Sequence, residues 1–97
     1  MNTFAATPFR TFDDIREEIV AYITDNILLG EVVDLLRVPS LLGEGIIDST
    51  GAMEIVSYLE NTFAIAIADA EIVPDNLDSI DKICAFVARK QARPTIE

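Results

Sequence analysis

The chain has 97 residues, 51% of them hydrophobic, which points to one domain with a modest core. It carries 17 acids against 7 bases, a net charge of −10, with no histidine and a single cysteine, Cys84. That inventory excludes histidine acid–base catalysis, Cys–His nucleophilic pairs, the usual zinc clusters and an internal disulfide.

In chain order, residues 1–10 read as a flexible leader, with Pro8 discouraging an early helix. The leader "MNTFAATPFR" lacks the charged and apolar regions of a secretory signal. Thr11 is an N-cap candidate with Asp14 three residues on. Ile15, Ile19, Tyr22, Ile23 and Ile27 then mark one face of a helix, which Gly30 ends. From Glu31 to Ile47, "VPS" and "GEG" break any regular pattern. A long ordered loop is expected there, with Val33, Leu36, Leu41, Leu42, Ile46 and Ile47 covering the core.

A second helix opens at Ser49 or just after it, with Ala52, Ile55, Val56, Leu59 and Phe63 on its apolar face. Either Asp48 or Ser49 could cap it. The alternating "AIAIA" has no second strand to pair with, so a connection is expected, then a short helical turn at Asp69 to Val73 stopped by Pro74. Asp78 is the expected cap of the last helix. That helix turns Ile80, Ile83, Cys84 and Val87 inward, with Phe86 at its edge and Arg89, Lys90 and Arg93 near its end. Cys84, on an apolar face, reads as a buried inert thiol.

Charge is unevenly spread. From Val38 to Asp81 there are nine acids and no Lys or Arg. Such a surface repels nucleic acid and anionic lipid and steers basic protein partners. No apolar run approaches the ~18 residues that would span a bilayer. The lone thiol favours a reducing compartment, the cytoplasm. "DNLDSID" lacks the glycine and closing glutamate of a calcium loop, so no metal site is expected.

The stretches "LLGEGIIDSTGAMEIVSYLENTF" and "IVPDNLDSIDKICAFV" carry a resemblance to the acyl carrier and peptidyl carrier protein family. The shared pattern is an Asp-Ser pair after a hydrophobic loop, opening a helix that reads apolar, Glu, apolar, apolar. Here it is Asp48-Ser49, then Met53-Glu54-Ile55-Val56, Leu59-Glu60 and Phe63. The similarity covers residues 12–89. It implies an all-α, four-helix acyl-carrier-like bundle: three main helices, one short helix and a long first loop. The carrier domain would span residues 11–91, with a flexible tail at 92–97.

The resemblance further implies a protein that is not an enzyme and has no catalytic residues. Ser49 would carry a covalent 4′-phosphopantetheine arm whose thiol holds an acyl or aminoacyl group as a thioester. Its partners would be a phosphopantetheinyl transferase, an adenylating ligase and downstream acyl-processing enzymes, met by a cytoplasmic monomer. "GIIDST" is more similar to freestanding carriers of specialised biosynthesis than to fatty-acid carriers. Thr50 stands where the family often has leucine, which marks it as a candidate for partner specificity. Asp48 would serve recognition by the transferase.

At about 100° per residue, Glu60 and Met53 fall about 20° and 40° from Ser49. Met53, Ser57 and Glu60 are therefore expected as an outward strip for partner recognition, with Glu54 at its margin. Two other readings compete. One is a fatty-acid or polyketide-type carrier, which needs a cavity among Ile19, Val56, Leu59 and Ile83. The other is an unmodified acidic helical adaptor.

Overall fold

The computed structural model describes residues 11–92. The leader at 1–10 and residues 93–97 of the tail, Arg93 among them, lie outside the described residues. Within them the chain is all-helical, as expected, with four α-helices and two 3₁₀ turns.

The first helix, α1, spans Phe12–Asn26. The Thr11 hydroxyl accepts the Asp14 N–H at 3.0 Å, and the Asp14 carboxylate accepts the Thr11 N–H at 3.2 Å. This reciprocal cap satisfies two backbone donors that the helix start would leave open. Ile15, Ile19 and Ile23 are buried, with Tyr22 and Ile27 packed at the core's margin. Beyond Asn26 the chain turns through Leu29 and Gly30 at φ 54° and 89°. There the Gly30 N–H donates to the Thr24 carbonyl at 2.8 Å and ends the extension.

The following loop contains one 3₁₀ turn, Leu35–Arg37. It buries Leu35, Leu41 and Ile47, while Val33 and Ile46 pack at the margin. The expected contributions of Leu36 and Leu42 are corrected, since both are exposed. In a tight turn of three residues, neighbours point about 120° apart, so Leu35 faces inward and Leu36 outward.

Helix α2 is Ser49–Phe63, and Ile55, Val56, Leu59 and Phe63 are buried along it. It ends at Ala64 in the left-handed conformation, φ 56°. The 65–68 connection forms no strand, and the 3₁₀ turn Asp69–Glu71 follows. Pro74 does more than stop that turn. It is the first residue of a short helix, α3, Pro74–Leu77, where its fixed φ and missing N–H fit the first helical position.

Helix α4 spans Ile80–Ala92. Its cap is Ser79, whose hydroxyl accepts the Lys82 N–H at 3.1 Å, one residue later than expected. Asp78 has a different task. Its carboxylate accepts the Ser40 hydroxyl at 2.6 Å and the Leu42 N–H at 2.9 Å, and its carbonyl accepts the Leu41 N–H at 2.8 Å. These three bonds tie the first loop to the α3–α4 junction. Ile80, Ile83, Cys84 and Val87 are buried as read, and Phe86, expected at the edge, is buried with them. Both α1 and α3 pack against α4. No helix among the described residues is long and apolar enough to cross a membrane.

Candidate functional site

The site is built where the loop enters α2. Gly45 takes φ 75°, a conformation natural to glycine, and turns the chain toward Ile46 and Ile47. Gly43 is needed for closeness instead: its N–H donates to the Ser40 hydroxyl at 2.8 Å, and a Cβ would sit 2.8 Å from that oxygen. Ile47 is buried, and Ile46 and Ile47 both donate backbone N–H groups to the Leu41 carbonyl, at 2.9 and 3.2 Å. The segment before α2 is thus held by the core on one side and by Asp78 on the other.

Asp48 caps α2, its carboxylate accepting the Gly51 N–H at 2.8 Å. The choice between Asp48 and Ser49 as cap is thereby settled. Ser49 is the first helical residue, and its side chain is exposed. Its hydroxyl is not spent on the cap. It stands at the positive end of a 15-residue helix, where free N–H groups favour an anion. The chain has no histidine to act as its base.

Gly51 is buried, and a Cβ there would meet Ile47 Cβ at 3.4 Å and Asp48 Oδ1 at 3.5 Å, ordinary contacts. Nothing in the packing requires glycine at this position.

Four of the expected recognition residues come together. Thr50, Met53, Glu54 and Ser57 line one side of an open groove of about 510 Å³, beside Tyr22, Tyr58, Asn61 and Thr62. Met53 is half-exposed and Ser57 exposed. A smaller hollow of about 340 Å³ lies next to it, lined by Asp48, Thr50, Gly51 and Glu54 together with the end of α1 and Gly45 to Ile47. Glu60 stands apart. It is half-buried, and its carboxylate accepts the Ile67 N–H at 2.9 Å, holding down the connection after α2. The buried stripe of α2 centres about 70° from Ser49 on the Val56 side, away from Glu60, so the outward direction falls on Thr50, Ser57 and Asn61.

The tyrosines at the groove are the main feature that the sequence reading missed. Tyr22 and Tyr58 stack with ring centroids 4.0 Å apart and planes at 17°. The Tyr22 hydroxyl donates to the Glu54 carbonyl at 3.5 Å, and the Tyr58 hydroxyl to the Glu18 carbonyl at 3.0 Å. The pair braces α1 and α2 from both sides. Desolvation, then repulsion from Glu54, pushes the Tyr22 phenol above its usual range. The available signal was spacing: Thr50, Glu54, Ser57, Tyr58 and Asn61 fall at offsets 0, 4, 7, 8 and 11.

The four residues proposed to enclose an acyl chain, Ile19, Val56, Leu59 and Ile83, are all buried in the one core cluster. None of them lines the groove or the hollow beside Ser49.

No family model matches the chain, and no solved structure matches it. Among curated proteins, the chain is similar to the D-alanyl carrier protein of Streptococcus pyogenes serotype M5 (strain Manfredo). The two are 29% identical over 75 residues, which is 77% of this chain and 94% of that protein.

Proposed function

We propose, taking the chain as a carrier protein of the acyl and peptidyl carrier type on its similarity to a D-alanyl carrier protein, that it holds an acyl or aminoacyl group on an arm attached to Ser49. The observation that carries this reading is the division of labour at the α2 start: Asp48 supplies the cap, and the Ser49 hydroxyl is left exposed at the helix N-terminus. The 4′-phosphopantetheine group supplies a flexible reach and a thiol that forms the thioester. The residues present fit it. The helix start favours the phosphate, and the loop anchored through Ile47 and Asp78 fixes where the hydroxyl points.

In this reading the chain is not an enzyme. A phosphopantetheinyl transferase attaches the arm, an adenylating ligase loads it, and downstream enzymes take the cargo, in specialised biosynthesis in the cytoplasm. Asp48, Thr50, Met53, Glu54, Ser57 and Glu60 remain the candidate recognition residues. A small cargo such as an amino acid suits the packed core better than a long acyl chain. The name of the relative, a D-alanyl carrier, points the same way.

The test is coexpression with a promiscuous phosphopantetheinyl transferase, followed by intact mass spectrometry. The wild-type chain should gain the mass of one arm and Ser49→Ala none. Incubating the arm-bearing protein with adenylating ligases and amino acids, aryl acids or fatty acids then reads the cargo. No mass gain with several transferases would leave the acidic adaptor as the better reading.

A further inference from the structure

The groove along the α1-facing side of α2 starts at Thr50, the residue after Ser49, and reaches Thr62. That is 12 helical steps, about 18 Å of rise. We propose that this groove is the resting seat of the chain's own pantetheine arm, on the α1 side of α2, with the Tyr22–Tyr58 stack as its wall.

The inference rests on the reading of Ser49 as the attachment point, and the lining commits it to this occupant. Thr50, Ser57, Asn61 and Thr62 offer hydroxyl and amide groups, while Met53 and the two tyrosine rings offer apolar surface. An arm made of amide units, a hydroxyl and methyl groups needs both kinds of contact. Charge points the same way. On a chain of net charge −10, the groove has a single carboxylate, Glu54. Anionic occupants are disfavoured there, but the arm beyond its phosphate is uncharged. Tethering at Ser49 makes occupancy intramolecular, so weak contacts along an open groove are enough to populate it. The neighbouring hollow lined by Asp48 and Gly45 to Ile47 is smaller and lies at the attachment end only.

The experiment compares the full chain before and after attachment of the arm, with intact mass spectrometry proving the state of each sample. Amide chemical shifts are recorded, together with contacts between arm protons and the tyrosine rings. Seating predicts shift changes running from Thr50 through Ser57 to Asn61 and Thr62, and direct contacts from the arm to Tyr22 and Tyr58. In Ser57→Phe, at an exposed position, the far changes at Asn61 and Thr62 should vanish while those beside Ser49 persist. The unmodified variant's spectrum reports its folding. If that variant fails to fold, Asn61→Ala replaces it and should weaken the changes at the far end. Changes confined to Asp48, Thr50 and Gly51, or spreading instead to Asn26 and Gly45, overturn the seat and leave the carrier reading standing. Failure to gain the arm's mass overturns both.

Discussion

Ser49 and its neighbours have separable tasks. Asp48→Ala removes the cap bond to Gly51 and should cost about 1 kcal/mol of stability in denaturant unfolding, while Asp48→Asn should recover most of it. Gly51→Ala should do the opposite. The space for a Cβ exists and the backbone is helical, so a gain of about 0.5–1 kcal/mol is expected. If that variant is more stable yet a poorer substrate for the transferase, the glycine is there for a partner. Cys84 adds a control. It is buried, and desolvation, then the Asp81 charge, pushes its thiol up to about 11. Native protein without the arm should therefore show no fast-reacting thiol, and arm-bearing protein should show one in a thiol-reagent assay. At this scale the sequence was legible for the opening of α2 at Ser49 and for the burial of Cys84. It was not for Asp78, because Asp and Ser are both good caps and Asp78 and Ser79 stand side by side.

Elements are tied to one another by a few polar contacts at their ends. Asp78 holds the first loop to the α3–α4 junction, and Asp78→Ala should cost about 1–2 kcal/mol through the lost Ser40 and Leu42 bonds. On the opposite side, Glu71 accepts the Ala68 N–H at 2.9 Å and pairs with Lys90 of α4 at 2.9 Å, while Arg89 donates to Asn76 at 2.9 Å. The Tyr22–Tyr58 brace between α1 and α2 should show a coupling of about 0.5–1.5 kcal/mol in a double-mutant cycle to leucine. Helices α1, α2 and α4 were readable because their apolar residues repeat with the helical period. The short α3 was not. Four residues give no periodicity, and Pro74 signals a helix start as well as a stop. The groove escaped because it needs α1 beside α2, and sequence spacing describes one helix at a time.

The whole molecule is acidic, so its pH response should come from carboxylates. Burial alone would raise Asp78, but the Ser40 hydroxyl and the Leu42 N–H outweigh it, and the net shift is downward. Glu71 is lowered first by the Ala68 N–H and then by Lys90, against a smaller desolvation effect. A carboxylate lowered in the folded state stabilises above its unfolded value and loses that contribution as pH falls through the folded one. Stability should therefore be nearly flat from about pH 5.5 to 7.5, where a chain without histidine has no side chain of ordinary pKa to titrate. It should decline below about pH 4.5, and Glu71→Gln should flatten part of that decline. Thermal unfolding across this range checks both. Fold class was legible from composition and helical periodicity, and the resemblance pointed to the bundle. In the carrier reading the cargo was not, because partners would choose it and their contacts leave little mark on one chain.

Localising the arm's mass to one residue is the most direct test of the account. No Lys or Arg lies between Arg37 and Lys82, so trypsin releases Val38 to Lys82 as one peptide containing Ser49, Thr50 and Ser57. Fragmentation of that peptide from transferase-treated protein should place one phosphopantetheine on Ser49. Its appearance on Thr50 or Ser57, or a peptide that stays unmodified with every transferase tried, would contradict the account.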